Sequence, residues 1–64
     1  MKLKELLQKM YASEKLMIKT VGEFDFMETT PDEVINEYEN LSERTVSVMW
    51  ASHNVYKAIV IEVE

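Results

Sequence analysis

The feature that most constrains this chain is that its 64 residues contain no cysteine. Disulfide bonds, thiolate-bound metals and a cysteine nucleophile are therefore excluded. A chain of this length buries only about 60% of the surface that it exposes when unfolded, so its core leaves little margin of stability. Because 47% of the residues are hydrophobic, we expect one small folded domain over residues 1–64. We expect self-association to stabilise this domain. A monomer with a deep catalytic cleft is not expected.

Charged residues are unevenly distributed along the chain, whose formal net charge is −5. Residues 1–19 contain five lysines and two glutamates, whereas residues 20–43 contain eight acids and no lysine or arginine. This acidic stretch argues against direct binding of nucleic acid, which requires basic residues at the phosphates. It defines a candidate acidic patch, whose members are Glu23, Asp25, Glu28, Glu37, Glu39 and Glu43.

The sequence carries no signal for a membrane or for secretion. Apolar runs fall short of the ~20 residues that span a bilayer, and no apolar segment is followed by a cleavage site for a signal peptide. We therefore expect a soluble, cytoplasmic protein without a membrane partner.

The first half of the chain predicts a helix followed by a β-hairpin. Residues 2–11 have apolar residues at helical spacing, namely Leu3, Leu6, Leu7 and Met10. Residues 15–20 and 23–28 have the composition and alternation of strands. Gly22 lies between them and can adopt the positive φ that a tight turn requires.

The segment Thr30-Pro31-Asp32-Glu33 predicts the start of a second helix. Thr30 is a favourable N-cap, Pro31 fits the first helical position, and Glu33 can accept a hydrogen bond from the Thr30 backbone N–H. We expect this helix to cover residues 31–41.

The second half predicts another hairpin, with strands at 45–51 and 55–63 joined by a turn at Ser52-His53-Asn54. The resulting order is α-β-β-α-β-β. It favours an α+β fold of two layers, in which a four-stranded antiparallel sheet carries both helices on one face. The order of the strands within the sheet stays open.

Strict alternation along the strands predicts which residues face the helices. The helix-facing set is Leu16, Ile18, Phe24, Phe26, Val46, Val48, Trp50, Ile59, Ile61 and Val63. The residues expected to be well buried are Leu6, Phe24, Phe26, Trp50 and Ile59.

The opposite face of the predicted sheet is unusually apolar. A solvated face would carry Thr, Lys, Glu and Ser, whereas this one has methionines, which suit adaptable interfaces. We interpret it as a protein interface, formed by Met17, Met27, Met49, Tyr56 and Val60. The partner is another protein or a second copy in a homodimer, and the edge of the last strand is an alternative contact. A twist or a bulge that mixes the two faces is the competing interpretation.

Candidate catalytic or metal-binding groups are few. His53 is the only histidine, and a residue in a predicted turn beside Ser52 has no oriented partner for base catalysis. The acids lack the spacing and the glycine of a calcium loop. We therefore expect no enzyme activity, no metal and no cofactor.

Three stretches of the chain resemble a group of short proteins from phages and prophages of Gram-positive bacteria. They are Lys2-Leu3-Lys4-Glu5-Leu6-Leu7, Thr30-Pro31-Asp32-Glu33-Val34, and Leu41-Ser42-Glu43-Arg44-Thr45-Val46 continuing through Asn54 to Ile59-Val60-Ile61-Glu62-Val63. The Tyr56-Lys57-Ala58 segment departs from the pattern by lengthening the last hairpin. The resemblance implies a small product in the cytoplasm of an infected or lysogenic cell, and it implies no catalytic residues.

These observations favour a non-enzymatic interaction module that binds or inhibits a host protein. One alternative is an acidic mimic of nucleic acid that blocks a DNA- or RNA-processing defence enzyme. Another is a sponge for a small ligand held between two protomers, although few basic residues are available to recognise a phosphate.

Overall fold

The computed structural model of the protein describes residues 1–52 and 58–64. Its elements are α1 (Leu3–Leu7), β1 (Leu16–Thr20), β2 (Met27–Thr29), α2 (Pro31–Glu37), α3 (Glu39–Ser42), β3 (Val46–Ser52) and β4 (Ala58–Val63). The α+β class is confirmed. The predicted second helix is divided into α2 and α3. No helix in the described part of the chain has the length and apolar character that crossing a membrane requires.

The four strands form one mixed sheet in the order β2-β1-β4-β3. Each hairpin is antiparallel, but the central strands β1 and β4 are parallel, with Leu16 opposite Ile59 and Thr20 opposite Val63. The prediction of a fully antiparallel sheet is therefore wrong at its centre. The helices α2 and α3 connect β2 to β3, and such a crossover lets the second hairpin run in the same direction as the first. The last strand is consequently central and offers no edge.

The core lies between the helices and the two central strands. Its buried residues are Leu3, Leu7, Leu16, Ile18, Val34, Ile61 and Val63. Leu6 and Ile59 pack against this cluster but are only partly buried, so their predicted burial is confirmed in part.

The start of α2 agrees with the sequence. The Thr30 side-chain oxygen accepts a hydrogen bond from the Glu33 backbone N–H at 3.2 Å, and Pro31 occupies the first turn. The Glu33 carboxylate accepts a hydrogen bond from the Thr29 hydroxyl, whereas the sequence predicted the Thr30 N–H as its partner. The helix ends earlier than predicted, because Tyr38 at φ −123° and ψ 59° leaves the helical conformation before α3 begins.

A β-bulge near the start of β3 reverses the predicted faces of that strand. Val46 pairs with Val63, but the next pair is Val48 with Glu62, so one extra residue lies between them. Met49 is thereby opposite the core residue Ile61, on the side of the helices. Val48 and Trp50 lie on the helix-free face of the sheet. Their predicted orientation towards the helices, and that of Met49 away from them, are wrong.

The other members of the predicted interface are also separated by the register. Met17 pairs with Val60, and both lie on the helix-free face as predicted. Val60 is fully buried there, so its predicted role in an exposed interface is wrong. Met27 pairs with the core residue Ile18 and shares its face towards the helices, contrary to the prediction. Tyr56 lies outside the described residues.

The predicted strand 23–28 forms only from Met27 onwards. Phe24 is consequently 96% exposed, and Trp50, on the edge strand β3, is 40% exposed. Their predicted burial is wrong. Phe26 is half-buried.

Candidate protein-binding surfaces

The loop between β1 and β2, residues 21–26, is here termed the acidic loop. Phe24 occupies its middle between Glu23 and Asp25, and all three residues are exposed. Aromatic side chains are the typical anchors of protein interfaces, where one ring fills a pocket of the partner. The acidic loop therefore presents an apolar anchor between two carboxylates.

Backbone hydrogen bonds fix the base of the acidic loop. The Glu23 N–H donates to the Thr20 carbonyl at 3.0 Å, and the Val21 N–H donates to the Val63 carbonyl of β4 at 2.8 Å. Gly22 adopts φ +89°, which confirms the predicted use of this glycine in a turn. A loop with a fixed base loses less conformational entropy when its tip binds a partner.

Lys19 connects the acidic loop to the helix-free face of the sheet. Its Nζ donates to the Glu23 carbonyl at 2.9 Å, lies 3.2 Å from Glu62 Oε1, and lies 5.9 Å from the centroid of the Phe26 ring. The Lys19 and Glu62 side chains are only 16% and 20% exposed. Lys19 therefore interacts with the acidic loop on both sides of Phe24.

A second exposed apolar surface lies on the edge strand β3. Val48, Met49 and Trp50 are consecutive, and they are 48%, 49% and 40% exposed. Because side chains alternate along a strand, Met49 lies on one face of the sheet while its two neighbours lie on the other. We call these three residues the β3 edge.

Two members of the predicted acidic patch are paired with lysines. Glu28 Oε1 lies 3.1 Å from Lys15 Nζ. Glu43 binds Lys4 at 2.6 Å and Lys2 at 2.9 Å. The lysines of the first 19 residues thus neutralise part of the acidic stretch within the fold. The remaining members of the patch are exposed and separate in the chain, since Glu23 and Asp25 lie on the acidic loop while Glu37 and Glu39 flank Tyr38.

The contacts of Glu43 change its titration. Hydrogen bonds from Lys4 and Lys2 lower the pKa of Glu43 to about 2, and the hydrogen bond to Glu43 raises the pKa of Lys2. Because Glu43 follows α3 and both lysines belong to the α1 region, this cluster connects α1 to the end of α3.

The candidate catalytic residue His53 lies outside the described residues, as does the Ser52 side chain. One surface depression, of about 450 Å³, is lined by Gln8, Lys9, Met10, Tyr11, Glu14 and Ile59. Among the described residues, its lining offers one lysine and one glutamate but no serine, threonine, cysteine or histidine. Within residues 1–52 and 58–64, no group of three acidic or histidine side chains is arranged to hold a metal ion.

Comparison of the chain with protein-family models, with curated proteins and with solved structures gave no match.

Proposed function

We propose that this protein is a non-enzymatic interaction module that binds and inhibits another protein by inserting Phe24 into an apolar pocket. The observation that carries the proposal is the exposure of Phe24, at 96%, between the carboxylates of Glu23 and Asp25. An exposed ring between two acids complements an apolar pocket whose rim carries lysine or arginine.

Energetics favour a residue of this kind as the centre of a binding site. Burying a phenylalanine side chain contributes about 1.5–3 kcal/mol, and Phe24 retains nearly all of that apolar surface for a partner. Charges at the rim of an interface mainly increase the association rate and select the partner. Glu23 and Asp25 are placed for this role on either side of the ring.

The resemblance to phage and prophage proteins indicates the kind of cell in which this protein would act. It suggests a cytoplasmic product of an infected bacterium, with a host protein as the target. Occupation of a functional pocket on that host protein is the proposed means of inhibition.

The acidic mimic of nucleic acid is the less favoured proposal. A mimic needs carboxylates spaced along one surface, as phosphates are, but Glu28 and Glu43 of the acidic patch are paired with lysines. The small-ligand sponge is also less favoured, because Lys2, Lys4, Lys15 and Lys19 all contact acids and so are engaged within the fold.

The proposal is tested by quantitative affinity capture from a bacterial lysate with three baits. These are the parent chain, Phe24→Ala, and Tyr11→Ala as the matched control. Tyr11 is 83% exposed but lies between Met10 and Ala12, without flanking acids. We expect Phe24→Ala to reduce recovery of the captured protein at least about tenfold, the effect of losing ~1.4 kcal/mol, and Tyr11→Ala to leave it unchanged.

Equal recovery by all three baits would contradict the proposal. A nuclease or polymerase that is lost with Glu37→Lys and Glu39→Lys, but retained with Phe24→Ala, would support the nucleic-acid mimic in its place.

A further inference from the structure

We infer that the β3 edge is a self-association surface, at which two copies of the chain pair their β3 strands in antiparallel orientation to form one continuous eight-stranded sheet. This inference rests on β3 alone and does not depend on the role of Phe24.

The two edges of the sheet differ in how they are protected. The outer strand β2 has three residues, one of which is Glu28. The outer strand β3 has seven residues, Val-Ser-Val-Met-Trp-Ala-Ser, with no charge and no proline. Soluble proteins usually protect an edge strand with charges, proline or short length, because its free N–H and C=O groups can pair with another strand. By these measures β3 is the unprotected edge.

The first residues of the chain cover only the beginning of this edge. The Val46 N–H donates to the Met1 carbonyl at 2.8 Å, and Lys2 forms an isolated antiparallel bridge with Thr45. The bulge lies at the same point, between Val46 and Val48, and the pairing with β4 is regular from Val48 to Ser52. The part of β3 that follows the bulge is therefore straight enough to accept a further strand.

The exposed side chains also favour an added strand over a layer packed on one face. A layer on the helix-free face would cover Val48 and Trp50 but would leave Met49 exposed on the opposite face. A strand added at the edge brings side chains to both faces at once. All three residues of the β3 edge are then covered by a single contact.

The occupant that fits this edge is a second copy, because the exposed residues complement one another about a two-fold axis. With Met49 opposite Met49 of the other copy, antiparallel pairing places Val48 opposite Trp50 and Trp50 opposite Val48. An aromatic residue opposite a β-branched residue is a favourable cross-strand pair. Such reciprocal contacts are what a two-fold interface requires, and the strand contains no charge that would meet its own copy.

The pairing leaves the acidic loop free. The strand β4 separates β3 from the β1–β2 hairpin that carries this loop. The dimer would therefore present two copies of Phe24 at its two ends, and a partner with two pockets would bind with increased avidity.

The absence of cysteine permits a direct test of the register with single-cysteine variants. Residues directly opposite in an antiparallel pair have Cα atoms about 4.5–5.5 Å apart, within the range of a disulfide. We expect Met49→Cys to form a disulfide-linked dimer under mild oxidation. Ser47→Cys is the matched control on the same strand: it would lie four residues from its counterpart, about 13 Å away, and should remain monomeric on a denaturing gel.

Charge reversal provides a second test that does not depend on oxidation. Light scattering of the parent chain should give twice the 7.5 kDa mass of one chain. Met49→Lys and Met49→Glu should each be monomeric, because like charges would lie opposite each other, and an equimolar mixture should recover the dimer. Capture through Phe24 should persist in the monomeric variants, so failure of one proposal is distinguishable from failure of the other.

A mass of 7.5 kDa for the parent at all concentrations would overturn the inference. So would equal cross-linking of the two cysteine variants, or a mixture of Met49→Lys and Met49→Glu that stays monomeric.

Discussion

The Lys19 ammonium donates a hydrogen bond to the backbone carbonyl of Glu23 at 2.9 Å, across the turn that begins the acidic loop. The same ammonium lies 3.2 Å from a carboxylate oxygen of Glu62 on β4. The loop that carries Phe24 is thereby connected to a central strand of the sheet. Lys19 therefore contributes both to the stability of the fold and to the position of the loop that carries Phe24.

Gly22 should resist replacement because of its backbone conformation rather than because of space. A Cβ atom at this position would meet no heavy atom within 4 Å, yet φ is +89°. We expect Gly22→Ala to lower the free energy of unfolding by about 1–2 kcal/mol. Gly22→Asn should cost less despite its larger side chain, since asparagine tolerates positive φ better. Urea denaturation of both variants checks this, and a neutral Gly22→Ala would contradict it.

Lys19 should contribute more to stability than Lys15, although each has one acidic partner. The pair of Lys15 with Glu28 is exposed, and such pairs contribute about 0–1 kcal/mol. Lys19→Met would leave Glu62, whose side chain is 20% exposed, without its ammonium. An unpaired, mostly buried charge is costly. We expect Lys19→Met to exceed about 1 kcal/mol in urea denaturation and Lys15→Met to remain below it. Equal losses would show that the two pairs have the same environment.

Phe24 should be dispensable for folding. Phe24→Ala is expected to change the free energy of unfolding by less than about 0.5 kcal/mol, as at other exposed positions. Leu7→Ala, at a fully buried position of the core, should cost about 2–5 kcal/mol. Thermal and urea denaturation compare the two variants. A large loss of stability with Phe24→Ala would place the ring in the core and remove the basis of the proposed function.

The pH dependence of stability should reveal the contacts of Glu43 with Lys4 and Lys2. Because folding lowers the pKa of Glu43 from its ordinary 4.5 to about 2, its contribution is present above pH 4.5 and is lost as the pH falls towards 2. The difference in unfolding free energy between the parent and Glu43→Gln should therefore be constant near neutral pH and decrease steadily as the pH falls from about 4.5 towards 2. Glu39→Gln is the control, since Glu39 is exposed and has no ion pair among the described residues. A difference independent of pH would contradict the assignment.

Features determined by local chemistry could be predicted from the sequence. The cap at Thr30 with Pro31 in the first turn and the positive φ of Gly22 depend on single residues and their immediate neighbours. The approximate positions of the helices and strands follow from apolar spacing. The placement of Met17 and Val60 on the helix-free face also agrees with simple alternation.

Features that depend on tertiary pairing could not be predicted in this way. Alternation predicts that successive side chains of a strand lie on opposite faces, but it does not predict where a bulge interrupts this pattern. A single extra residue after Val46 therefore exchanged the faces of Met49 and Trp50. The parallel pairing of β1 with β4 depends on the path of the helical crossover between β2 and β3. No local sequence pattern predicts that path. Glu23-Phe24-Asp25-Phe26 alternates as a strand does, but the structure places it in a loop. Alternation consequently predicts a core position for Phe24, which is 96% exposed.

The central claim, that Phe24 binds an apolar pocket with a basic rim, is tested most directly by photocross-linking. Benzoylphenylalanine is placed at position 24 in one chain and at position 11 in a control chain, and cross-linked peptides from bacterial lysate are identified by mass spectrometry. The account predicts that position 24 labels a single protein on an apolar surface flanked by lysine or arginine, and that position 11 does not label it. Indistinguishable labelling from both positions, or labelling at a surface without basic residues, would contradict the account.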